Sequence, residues 1–280
     1  MITRRRFMAG VAWTPMVLAA CASSARSKST VTSLVGQPSG TTTAGGDAGS
    51  SAVTSTTPGA AAATSNPTSS TAPAPAGGAG APAVYVDHGD PNSDMVALTF
   101  HLSGAAGTVT DLLDLLQKRA VTVTAFAVGK WITANPVITK RVVSAGHELG
   151  NHTEHHLDMG RLTAQQLRDE IVECGQAITP FIGSIGRWFR PSATVVPGAA
   201  ILKAAGEAGY PVSVGYDIDS VDNKDPGAAA IIANVKPKLH GGAIVSLHFG
   251  HRGTIEALPH ILDELAARKL RPVTVGTLLG

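Results

Sequence analysis

Cysteine is scarce in this chain, which has only Cys21 and Cys174. Cys21 closes an N-terminal apolar stretch, so the rest of the chain has no second cysteine with which to form an internal disulfide. Cys174 falls in a helical pattern and reads as a small buried hydrophobe. Long apolar runs are also lacking. Ala9 to Ala20 is too short to span a bilayer as a helix. Aromatic residues are absent from 22–82, a run of Ser, Thr, Ala, Gly and Pro whose charges are Arg26, Lys28 and Asp47. Such a segment cannot bury enough apolar surface to offset its ordering entropy, and it reads as a disordered linker. Strong positive charge is missing as well. The chain carries +2 overall. Setting aside Arg4, Arg5, Arg6 and the linker's single net positive charge leaves 83–280 slightly negative, which excludes a nucleic-acid surface.

The N-terminus has the form of an export signal. Thr3-Arg4-Arg5-Arg6-Phe7-Met8 matches the twin-arginine pattern. The stretch that follows ends in Leu18-Ala19-Ala20-Cys21, which matches the bacterial lipobox. Three parts are therefore expected: a lipoprotein signal over 1–21, a linker over 22–82 and one folded domain over 83–280. Lipidation of Cys21 would anchor the exported chain on the outer face of the cytoplasmic membrane, in the cell envelope, because two acyl chains suffice for stable attachment.

Within 83–280, short apolar strands alternate with helical patterns. Strands are expected at Met95–Phe100, Val121–Val128, from His147, at Trp188–Arg190, Val212–Gly215, Ala243–Leu247 and Pro272–Val275. Helices are expected at Val109–Lys118, Pro136–Ala145, Thr163–Ile178, Gly198–Ala208, Gly227–Val235 and Thr254–Arg268. The alternation indicates an α/β fold with a parallel sheet of about seven strands, fewer than the eight of a standard barrel.

The most informative segment is His152-Thr-Glu-His155-His156, which follows a strand. His152 and His156 stand four residues apart, so on a turn of helix both can face one way and hold a divalent metal. Structural or surface histidines are the alternative. Arg190, Asp222 and His248 lie at or just beyond other predicted strands.

Together these segments resemble the polysaccharide deacetylases of the NodB-homology type, carbohydrate esterase family four. The resemblance covers about 94–280 and implies a distorted (β/α) barrel that removes acetyl groups from N-acetylated sugars with a divalent metal, commonly zinc. It makes His152 and His156 metal ligands, with His155 facing solvent or supporting them and Asn151 hydrogen-bonding near the loop. It makes Arg190, in Phe189-Arg-Pro-Ser-Ala193, the residue that orients the catalytic carboxylate, with a nearby backbone N–H for the oxyanion. Ala193 stands where the family has Tyr. Asp222, in Asp217-Ile-Asp219-Ser-Val-Asp222-Asn223, becomes the partner of Arg190, and Asn223 replaces a Trp. His248, in Leu247-His248, becomes the general acid, a task suited to a side chain that titrates near neutrality. His251 receives no role.

The first motif departs from the family. Where the family has Thr-Phe-Asp-Asp-Gly-Pro, this chain has Thr99-Phe100-His101-Leu102-Ser103-Gly104. His101 replaces the base and Leu102 replaces a metal carboxylate, and leucine has no lone pair to offer. Two readings follow. His101 is a third ligand or a new base, with Asp87, Asp90 or Asp94 assisting. Alternatively, hydrolysis has been lost and a glycan-binding groove is kept. The expectation is a metal-dependent, lipid-anchored hydrolase acting on a cell-wall glycan, with an inactive glycan-binding lipoprotein as the alternative.

Overall fold

The structure is a computed structural model and describes residues 80–280. Cys21, the twin-arginine segment and the linker up to residue 79 lie outside the described residues. The chain runs through β1 (Val84–Val86), β2 (Met95–Leu102), α1 (Ala106–Lys118), β3 (Thr124–Ala127), α2 (Gly129–Ala134), α3 (Pro136–Ser144), β4 (Glu148–Asn151) and α4 (Ala164–Ile182). It continues through α5 (Ala199–Glu207), β5 (Val212–Val214), β6 (Ile218–Asp219), α6 (Ala228–Val235), β7 (Ile244–His248), α7 (Arg252–Ala267), β8 (Arg271–Val273) and α8 (Val275–Leu279).

Every strand ladder is parallel, as expected from buried strands separated by helices. The order is β4-β3-β2-β7-β6, with β8 beside the first half of β2. Phe189 bridges Asn151 to Ser213, which carries the sheet from β4 to β5 and its partner β1. The architecture is the distorted (β/α) barrel that was expected.

The strand pleat sorts side chains into two layers. Along β2, Val96, Leu98, Phe100 and Leu102 pack with Leu112, Leu116, Leu258 and Ile261 between sheet and helices. Ala97 points the other way and packs with Phe126, Trp188 and Val214 inside the barrel. The same parity puts His101 at the inner, C-terminal end of the strand, and β7 delivers His248 beside it in register.

Several boundaries differ from the sequence reading. The expected strand at 188–190 reduces to the bridge residue Phe189, because Arg190 turns into the loop. β1, β6, α2 and α8 were not anticipated. β1 and β6 are two or three residues long, too short for a period to register. The helix expected from Thr163 matches at its start: Thr163 and Gln166 form a reciprocal capping box on α4. Cys174 is fully buried, as expected, and burial pushes its thiol pKa up.

Candidate active site

The loops after β2, β4, β6 and β7 surround a cavity of about 380 Å³. Its lining includes His101, His152, His156, Arg190, Ser246 and His248. Loops at the C-terminal ends of parallel strands leave this end of such a barrel open to a ligand. Two of the loops touch backbone to backbone. A Cβ on Gly104, whose φ is +110°, would lie 2.5 Å from the Gly250 Cα, so only glycine lets the loops after β2 and β7 approach this closely.

Asp222 anchors one side. It has no solvent exposure and accepts hydrogen bonds from the His248 backbone N–H (2.7 Å), His248 Nδ1 (2.6 Å) and the Thr254 hydroxyl (2.6 Å). Burial alone would raise its pKa, but the bonds from His248 and Thr254 outweigh burial and hold it below the usual carboxylate range. An ionised carboxylate only accepts, so His248 donates to it from Nδ1. His101 Nδ1 lies 2.7 Å from His248 Nε2, and because His101 Nε2 faces the donor-only Arg190 Nη1, the His101 proton sits on Nδ1 and is donated to His248. The remaining His101 lone pair, on Nε2, faces Arg190 Nη1 at 3.4 Å. Burial, then the nearby His152, His248 and Arg190, drives the His101 pKa well below its ordinary value.

Arg190 is buried without an ion-pair partner among the described residues. Its guanidinium donates to the carbonyls of Val214 and Gly215 and to the Thr99 hydroxyl, and it lies 4.1 Å over the Phe126 ring. Burial lowers its pKa to about 9. The expected Arg190–Asp222 pair is therefore corrected. Asp222 belongs to His248, and Arg190 supports the floor under His101.

His152 and His156 are brought together, though not on a helix. They follow β4 on a loop in which Thr153 (φ +69°) and His156 (φ +59°) adopt left-handed backbone. Their rings meet edge to face with centroids 4.9 Å apart. His152 is buried, and its Nδ1–H donates to the Arg190 carbonyl at 2.8 Å. Its Nε2 is buried with no partner. Burial, then His156, lowers the His152 pKa well below its ordinary value. Asn151 holds this loop as expected: its amide donates to the Ile171 carbonyl and the Tyr210 hydroxyl, and its oxygen accepts from Thr153 N. His155 turns away to Glu170, and His251 pairs with Asp225.

The carboxylates proposed to assist His101 do not reach it. Asp94 precedes β2 and pairs with Arg271, roughly 23 Å away by the strand rise of about 3.3 Å per residue. Asp87 binds His88 and Asp90 binds Asn92. Thr254 and Ser246 are polar residues of the site that the sequence reading missed. A threonine in the first turn of a helix and a serine inside a strand carry no sequence signal of a site.

The family profile described as polysaccharide deacetylase matches residues 88–213. A peptidoglycan-N-acetylglucosamine deacetylase of Bacillus cereus is 33% identical over 204 residues, covering 71% of this chain and 94% of the relative. The uncharacterised protein YlxY of Bacillus subtilis is 28% identical over 163 residues, 57% of this chain and 50% of that protein. The crystal structure of a CE4 family pseudoenzyme from Bacillus anthracis superposes with a TM-score of 0.66 at 27% identity, covering 70% of this chain and 69% of that one. A mutant of that protein with restored enzymatic activity has also been solved, and it matches this chain with the same TM-score. The chain belongs to the polysaccharide deacetylase family. It spans about half the length of YlxY and nearly all of the B. cereus enzyme.

Deacetylases of this family are metal-dependent. In this chain the unpartnered Nε2 of His152 suits a metal, since its Nδ1–H is fixed by a carbonyl as ligating histidines usually are. His156 stands beside it. No third donor completes the three-ligand set usual for catalytic zinc. Leu102 packs in the helical layer, and both His101 nitrogens face other partners. Among the described residues, no group of three or more His, Cys, Asp or Glu is arranged to hold an ion. The residues present do not fit a catalytic metal centre.

Proposed function

We propose that the domain acts on N-acetylated amino sugars of a cell-envelope glycan and hydrolyses the acetamide. The observation that carries this reading is the buried Asp222–His248 pair, which stands at the wall of the cavity with His248 Nε2 bonded to His101. Water adds to the acetyl carbonyl, the C–N bond breaks, and acetate and a free amine leave. The His248 Nε2 lone pair takes the proton of the attacking water and returns it to the departing nitrogen, while Asp222 holds the ring by Nδ1–H and stays ionised. His101 must release Nε2 before this exchange. Zinc, the metal implied by resemblance, would have His152 and His156 as its protein donors. The B. cereus relative supports the glycan class, because its name specifies peptidoglycan N-acetylglucosamine.

A second reading, glycan binding without turnover, is favoured by the hydrogen bond that occupies His248 Nε2 and by the likeness to a pseudoenzyme. Release of acetate from N-acetylated glycans by the purified chain, with and without chelator, separates the two. Acetate release that His248→Ala abolishes supports hydrolysis. Binding without acetate under every metal loading supports recognition alone. We further propose export by the twin-arginine route and anchoring through Cys21, supported by the motif Thr3–Met8 and the Leu18–Cys21 lipobox.

A further inference from the structure

We infer that His101 blocks the metal position of this site from within, so that the chain takes up its ligand without a resident metal. The inference rests on the second reading above, glycan binding without turnover, and names what blocks the metal. Three contacts of one imidazole carry it. Nδ1 occupies His248 Nε2 at 2.7 Å, the nitrogen of that ring which Asp222 leaves free. The ring lies stacked on His152, with centroids 4.1 Å apart and planes 20° from parallel, which holds it in place beside the in-plane His152 Nε2 lone pair without covering it. Nε2 is turned toward the buried Arg190 guanidinium at 3.4 Å, where a second cation would be repelled.

The neighbouring groups are committed in the same way. His251 holds Asp225 and His155 holds Glu170. Leu102 sits in the apolar layer. Among the described residues no group of three or more His, Cys, Asp or Glu is placed to hold an ion, so a divalent ion finds the pair His152 and His156, and His101 acts as an internal plug where the family places a catalytic carboxylate. The cavity itself keeps its polar lining and its opening, so recognition of a neutral glycan does not depend on an ion.

The test uses the purified full chain and zinc alone as the first probe, by calorimetric titration. Removing a residue that merely orients a ligand already lowers metal affinity about 10–100-fold, and removing a ligating histidine costs at least as much. As a plug, His101 should behave differently: His101→Ala keeps zinc affinity within about threefold of wild type or raises it, whereas His152→Ala lowers it more than tenfold. His101→Asn retains an amide donor for His248 Nε2 and serves if the alanine variant does not fold. Tight zinc binding by wild type, or loss of zinc binding in both His101 variants, would overturn the inference. The second probe is an N-acetylated chito-oligosaccharide, titrated with and without a chelator. Affinity unchanged within about twofold supports recognition free of metal, and loss of binding on chelation overturns it. Absence of oligosaccharide binding in every state would sink the proposed glycan function, and the zinc comparison would still decide the role of His101.

Discussion

At the residue scale, Asp222 gathers three donors at a position closed to solvent. Asp222→Ala would leave the His248 ring without its orienting acceptor and the Thr254 hydroxyl unpaired in the interior. The expected cost is about 1–3 kcal/mol for each donor left unpaired, measured by urea unfolding, because a buried donor without an acceptor bears its full desolvation penalty. Acetate release, if present in wild type, should fall by at least about 100-fold with it. A second residue-scale effect concerns pH. His101, His147 and His152 are buried, and burial lowers the pKa of each. An unfolded histidine takes a proton near pH 6.5. Below that pH the unfolded chain binds more protons than the folded one, so stability is full above about pH 6.5 and falls as pH drops toward the folded pKa values. Thermal unfolding in chelating buffer should show a lower Tm at pH 5 than at pH 7.5. Each kcal/mol of that loss corresponds to about 2–4 °C in a domain of this size. A flat profile over that range would mean the rings are not buried neutral.

At the element scale, β2 governs the site through the two-residue period of a strand. His101 is delivered inward and Leu102 outward into the layer against the helices. Leu102→Asp is therefore expected to destabilise the fold by about 3–5 kcal/mol, as a buried leucine is lost and an unpartnered carboxyl gained. Chemical denaturation checks this, and a change under 1 kcal/mol would contradict the outward orientation. The glycine pair belongs to the same scale. Gly104→Val should separate the β2 and β7 loops, because any Cβ there meets the Gly250 backbone. The His101–His248 contact should weaken with it.

At the scale of the whole molecule, no helix among the described residues is long and apolar enough to cross a membrane. The proposed attachment to a membrane rests instead on Cys21, outside them. Cys21→Ala should move the protein from the membrane fraction to the soluble fraction or stall its processing, since both acyl chains depend on that residue. Fractionation of cells reads this directly, and an alanine variant that still carries lipid would refute it. Replacing Arg4 and Arg5 by Lys should block export, and normal secretion would indicate the general route instead.

The sequence by itself determined the strand–helix alternation, the polar residues at the strand ends and the departure at His101-Leu102. Periodicity and residue chemistry are local properties, and local order suffices to express them. It also brought forward His152, His156, Arg190, Asp222 and His248, all of which lie at one end of the barrel. Which of them pair was decided only by the tertiary structure. Asp222 and Thr254 are 32 positions apart, and His101 and His248 are 147 apart. Nothing in the intervening chain records that β7 lies in register against β2. That register turns His101 from a candidate ligand into a hydrogen-bond donor, gives Asp222 to His248 rather than to Arg190, and leaves the guanidinium among carbonyls and rings. Hydrogen-bond partners are chosen by distances of a few ångströms between strands, and those distances exist only once the barrel has formed.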